Sequence, residues 1–114
     1  MDWERFVRIF AILHTACSAK PEFGQCKGTS IEIVKKLGEY RLEAELLHLP
    51  KQSHFVAGCE GLIIDATLDI NYETKTGRRV FTRQEHISLM KEVAAKEPFN
   101  AYMADEVIYK PVEF

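Results

Sequence analysis

The sequence predicts an α+β domain: a small, mainly antiparallel sheet of three to four strands with two to three helices packed on one face, in the order α-α-β-β-β-α-β. Three observations carry this. Apolar residues recur at helical spacing near the N-terminus and again after Thr82. Polar and apolar residues alternate from Leu62 to Glu73, the pattern of a strand with one wet face. A turn, Thr74-Lys75-Thr76-Gly77, follows it, and β-forming residues return in Arg78-Arg79-Val80-Phe81.

Taken in order, Asp2 to Ala19 reads as a helix. Trp3, Phe6, Phe10, Leu13 and Cys17 share one face, and Ile9, Ile12 and Ala16 widen it beyond half the circumference. A surface helix needs a narrower stripe, so this one is expected to be deeply buried or shared with another chain. Thr29 followed by Glu32 has capping-box spacing and Gly38 suits a left-handed terminator, which predicts a short helix from Ser30 to Leu37. Tyr40, Leu42, Ala44 and Leu46 then alternate with Arg41, Glu43 and Glu45 as a half-buried strand ended by Pro50. The stretch Phe55 to Leu62 is ambiguous, with Gly58 and Gly61 marking a bend or a bulge. Thr82 and Glu85 form a second capping box before a helix that buries Ile87, Met90, Val93 and Ala94. The terminal DEVIYKPVEF reads as a strand whose Pro111 suits an edge.

The 114 residues fit one domain, 1–114, of ordinary globular composition. A formal charge of −2 with mixed signs disfavours a nucleic-acid binder, which would show a basic excess. No apolar run approaches the ~20 residues of a membrane span, and the N-terminus lacks a signal peptide's basic lead. Three cysteines do not make a disulfide framework, so reduced thiols and a cytoplasmic location are expected.

The candidate chemistry is sparse. His14, Cys17, Cys26, His54 and Cys59 have the right atoms for zinc but no CxxC knuckle, so no metal and no cofactor is expected. Cys59, between two glycines, is a weak nucleophile candidate without an identifiable orienting carboxylate or amide. Asp65 and Asp69 fall on one strand face, where a solvated surface is the simpler reading. No catalytic residue is therefore assigned. Arg78, Arg79 and Arg83 gather before a helix N-terminus, an arrangement that attracts anions, but Glu85 offsets their charge; an arginine rim around a protein interface fits better.

The excess apolar surface leads to the expectation of a small regulatory or inhibitory protein. It would bind another protein, as a homodimer, through Trp3, Phe6, Ile9, Phe10, Leu13, Arg78, Arg79 and Arg83. The alternatives are a small enzyme or ligand-binding domain, with a site between sheet and first helix using Asp65, Asp69, Tyr40 or His54, and a nucleic-acid-associated regulator using the Arg78–Arg83 corner.

Overall fold

Residues 25–72, 74–96 and 106–114 are described by a computed structural model. The elements are α1 (Cys26–Glu39), β1 (Ala44–Leu49), β2 (His54–Cys59), β3 (Leu62–Ile64), α2 (Leu68–Asn71), β4 (Val80–Thr82), α3 (Arg83–Lys96) and β5 (Lys110–Val112). The strands form one antiparallel sheet in the order β4-β3-β2-β1-β5, and the α+β class holds. The predicted helix over Asp2–Ala19, and with it Trp3, Phe6, Ile9, Phe10 and Leu13, lies outside the described residues.

The sheet is covered on both faces, which differs from the expected one-sided packing. Neighbouring residues alternate between two apolar clusters. Ala57, Ile64 and Val80 pack with Ile33, Val34 and Leu37 of α1, while Val56, Ile63 and Phe81 pack with Met90 of α3. This explains why β1 does not show the expected alternation: Leu46 and Leu47 are both buried. Fully burying each such side chain contributes about 1.5–3 kcal/mol.

The connections follow from backbone chemistry. Glu60 and Gly61 both have positive φ, 52° and 78°, the two-residue turn that suits the twist of a hairpin, and it joins Cys59 to its partner Leu62. Gly77 takes φ 64° in the predicted turn before β4. The capping box at α3 is reciprocal: Thr82 N–H donates to Glu85 Oε1 at 2.9 Å, and Glu85 N–H donates to Thr82 Oγ1 at 3.2 Å. Pro111 sits in edge strand β5, opposite Leu47.

Two expectations are corrected. The strand predicted to reach Glu73 stops at Ile64, and Leu68–Asn71 forms a helical turn. A continued strand would put Ile64 and Leu68 on one face, whereas Ile64 belongs to the α1 cluster and Leu68 to the α3 cluster. Asp69, expected on a wet face, instead organises the loop: its carboxylate accepts hydrogen bonds from Thr74 Oγ1, from the N–H and Oγ1 of Thr76, and from Gly77 N–H.

The second correction concerns α1, which begins at Cys26, ahead of Thr29, and runs through Gly38. Thr29 is buried within it and is no cap. Its end is a Schellman motif: Leu42 N–H donates to Leu37 O at 3.1 Å and Arg41 N–H to Gly38 O at 2.9 Å. The left-handed position belongs to Arg41, with φ 61°. A side chain there is strained by about 1–2 kcal/mol, partly offset by the greater freedom that glycine loses on folding, about 0.5–1 kcal/mol. Arg41→Gly is therefore expected to stabilise the protein by up to about 1 kcal/mol. A urea midpoint that stays put or falls would contradict this account of the helix end.

Candidate functional site

Where β2 begins and β3 ends, the fold gathers titratable side chains far apart in sequence. His54 is the first residue of β2, and Asp65 follows the last residue of β3. The Asp65 N–H donates to Arg79 O at 2.8 Å, which fixes the backbone there. Its side chain points inward and the residue is only 1% exposed, contrary to the solvated strand face read from the sequence. The reason is the one already given: the strand ends, and the chain turns before alternation can continue.

Asp65 Oδ2 lies 2.8 Å from His54 Nε2 and 2.8 Å from His86 Nε2. His86, in the first turn of α3, places Nδ1 2.6 Å from the Tyr109 hydroxyl. Asp65 Oδ1 has no hydrogen-bond partner among the described residues. Both imidazoles and the carboxylate are buried. The Tyr72 ring meets His54 edge-on, and the Phe81 ring lies against His86.

Cys26 completes the set. It is the first residue of α1 and is half-buried. His54 uses Nε2 for Asp65, and its Nδ1 forms no conventional hydrogen bond among the described residues, so Nδ1 is the nitrogen left for Cys26. The first N–H groups of a helix lack intrahelical acceptors. Thr29 N–H already bonds back to Gln25 O at 2.9 Å, leaving the Cys26, Lys27 and Gly28 amides ahead of the helical ladder.

The electrostatics are those of an ion pair. Burial opposes a charged Asp65, but the charge and hydrogen bond of His54, then those of His86, outweigh it and hold the carboxyl well below its usual range. Burial likewise opposes a charged His54; the charge and hydrogen bond of Asp65, followed by Cys26, raise it from 6.5 to about 9. At Cys26 burial again opposes the charged form. Interaction with the neighbouring His54 imidazole, with smaller backbone contributions from Phe55 and Lys27, lowers the thiol below its ordinary 9.0.

Cys59 contrasts with this. Burial and the adjacent Glu60 push its thiol up to about 11, and it lines a cleft of about 430 Å³ with Glu43, Glu45, Glu60 and Arg83. None of the Cys26–His54–Asp65 residues lines that cleft. A protonated thiol is a poor nucleophile, so of the two described cysteines Cys26 is the one whose surroundings favour a thiolate. No group of three or more His, Cys, Asp or Glu among the described residues is arranged to hold a metal ion.

The arginines each engage a different group. Arg78 is ion-paired with Glu85 at 2.8 Å and lies over the Phe81 ring, Arg83 lies over the Tyr109 ring, and the Arg79 carbonyl supports Asp65. Of the residues expected for a site between sheet and helix, His54 and Asp65 meet. Asp69 serves its loop, and Tyr40 lies exposed beyond the end of α1. Sequence reasoning considered Cys26 only as a zinc ligand and gave no role to His86 or Tyr109 in this cluster. A cysteine opening a helix is the signal that was present, hidden by the misplaced capping box. No helix among the described residues is long and apolar enough to cross a membrane. Comparison with known proteins found no matching family model, no matching curated protein and no matching solved structure.

The pKa shifts set a stability profile with two limbs. Asp65, lowered from 3.8, contributes stability that is present above the unfolded value and lost as pH falls below it. His54, raised from 6.5 to about 9, contributes stability that is full below 6.5 and lost as pH rises toward about 9. Urea unfolding of Cys26→Ser, which removes the titrating thiol, is expected to show maximal stability between these limbs. Adding Asp65→Asn should flatten the alkaline decline. An alkaline limb that survives Asp65→Asn would mean His54 is not held by this carboxylate.

Proposed function

We propose that this chain is a cysteine-dependent acyl-transfer enzyme, a hydrolase or transferase acting on a carbonyl substrate, with Cys26 as nucleophile, His54 as general base and acid, and Asp65 as the group that orients His54. The observation that carries this reading is a half-buried helix-opening thiol in electrostatic interaction with a buried imidazole whose Nε2 meets a buried carboxylate and whose Nδ1 bears no other hydrogen bond. A nucleophile, a base within reach and a third group orienting the base is the recurring logic of covalent acyl transfer.

The steps follow from the geometry. The proton of Cys26 resides on His54 Nδ1, and the thiolate sulfur attacks the carbonyl carbon, forming a C–S bond as the π electrons move to oxygen. The N–H groups opening α1 are the donors available to that oxygen. Collapse breaks the bond to the leaving group, which takes the proton from His54 and departs, leaving a thioester on Cys26. Neutral His54 then removes a proton from water or another acceptor nucleophile. Attack on the thioester releases the acyl product and returns the thiolate. Throughout, Asp65 stabilises the imidazolium form and keeps Nε2 as the nitrogen facing it.

The protein-binding and homodimer reading expected from the sequence rests on Trp3, Phe6, Ile9, Phe10 and Leu13, which lie outside the described residues, and on the arginines, which have intramolecular roles. The arrangement of Cys26, His54 and Asp65 favours the enzyme.

Incubation of the full chain with p-nitrophenyl acetate tests the proposal. A burst of about one nitrophenol per chain is expected, with the acetyl group located on Cys26 by peptide mass spectrometry. Cys26→Ala should abolish the burst, and His54→Ala should slow acylation by about 10²–10⁴-fold. Equal labelling of Cys17 and Cys59, or an unchanged rate in His54→Ala, would sink the assignment.

A further inference from the structure

The acyl-transfer reading accounts for Cys26, His54 and Asp65 and leaves open which acyl donor they accept. The side chains beside the thiol bear on that choice. Phe55 follows His54 in β2, and its backbone interacts with the Cys26 thiol. Ser30, one turn into α1, donates its hydroxyl to Phe55 O at 3.1 Å. The opening turn of α1 is therefore seated against Phe55, the strand neighbour of His54.

Phe55 pairs with His48 of β1, and His48 pairs with Lys110 of β5. Directly opposed residues of antiparallel strands share a face, with Cβ atoms about 4.5–5.5 Å apart. These three thus form one row across the sheet. Alternation along β2 puts the row on the face where Ala57 and Cys59 pack with α1. The Phe55 and His48 rings are stacked, 4.4 Å between centroids and 14° from parallel. Lys27, the residue after Cys26, holds Nζ 5.4 Å from the Phe55 centroid. Both rings are half-buried, and both lysines are exposed.

The result is a flat floor of two rings beside the thiol, with Lys27 over one ring and Lys110 next to the other. Neither lysine is ion-paired among the described residues. Glu106, which meets Gln52 in the turn between β1 and β2, is engaged with Lys51. The first turn of α1 holds no acidic residue to offset the positive end of its dipole. A lysine ammonium attracts an anion as a point charge, without demanding one orientation. A neutral acyl donor would leave both ammonium groups unused.

We propose that Lys27 and Lys110 are specificity-determining residues of the Cys26 site, which takes flat acyl groups bearing a negative charge: the group lies on the Phe55–His48 rings with its charge toward the two lysines. This rests on the acyl-transfer reading and adds the class of substrate to it.

Two esters test it. Mono-4-nitrophenyl terephthalate and 4-nitrophenyl benzoate transfer the same flat acyl group with and without a carboxylate. Each rate of Cys26 acylation, read as the nitrophenol burst, is divided by that ester's rate with 2-mercaptoethanol, which removes the difference in intrinsic reactivity. The anionic ester is expected to be favoured about fivefold at low salt, the scale of an exposed charge pair. Added salt should shrink this preference, because exposed charges are screened. Lys27→Met combined with Lys110→Met should bring the ratio close to one. A damaged fold would slow both esters and leave the ratio in place, so the ratio separates specificity from structure. Equal normalised rates, a preference unmoved by salt, or a ratio untouched by the double substitution overturns the proposal while the nucleophile assignment stands. A Cys26 that neither ester acylates removes both.

Discussion

A carboxylate with no access to water sits at the junction of four elements, and its solvation decides how they meet. Moving a bare carboxylate out of water costs many kcal/mol unless donors replace the lost hydration. Asp65 receives two N–H donors on one oxygen, from His54 at the start of β2 and His86 in the first turn of α3. His86 in turn holds Tyr109, just ahead of β5. The end of β3, the start of β2, the cap of α3 and the approach to β5 are thus tied to one atom. The Thr82–Glu85 capping box gains a second meaning in this setting. By fixing where α3 starts, it also fixes where His86 stands.

The surroundings are apolar enough to make this arrangement costly. Both faces of the sheet carry apolar clusters, and the network lies between the opening turns of the two long helices that cover them. Replacing a buried ionic group with well-packed apolar side chains is often neutral or stabilising. A domain of 114 residues has little stability to spare. Four buried or half-buried titratable groups in series, leading to a fifth at Cys26, are hard to explain as a route to stability. They are readily explained as a means of holding a proton at a chosen nitrogen.

Much of this fold was legible in the sequence, and the parts that were not share a cause. The capping box at Thr82, the edge position of Pro111, the stop at Pro50 and the return strand around Val80 are local signals, written within a few residues and read correctly. The run from Leu62 to Glu73 carried an equally clear period of two, yet among its described residues only the first three are strand. There, tertiary demand won: Leu68 is needed in the cluster opposite the one that holds Ile64. The site was illegible for a related reason. Cys26, His54, Asp65, His86 and Tyr109 span most of the described chain, and no spacing rule connects them. His54 and Asp65 were named together only as alternatives. What joins them is the Glu60–Gly61 hairpin, which folds β2 against β3 and brings positions eleven residues apart to hydrogen-bonding distance.

Exposure along the network gives it a direction. His54, Asp65 and His86 are 1%, 1% and 0% exposed, and Tyr109 is 8% exposed. Cys26 alone is half-buried, at the opening of a helix whose first amides have no partner within the helix. A molecule arriving from solvent therefore meets this series of groups first at the sulfur, the member that is not buried. The series reads outward, from a tyrosine hydrogen-bonded to one imidazole, through a carboxylate shared by two, to a second imidazole and a thiol. The four groups inward of Cys26 are all buried, and Cys26 is the member of the series that solvent reaches.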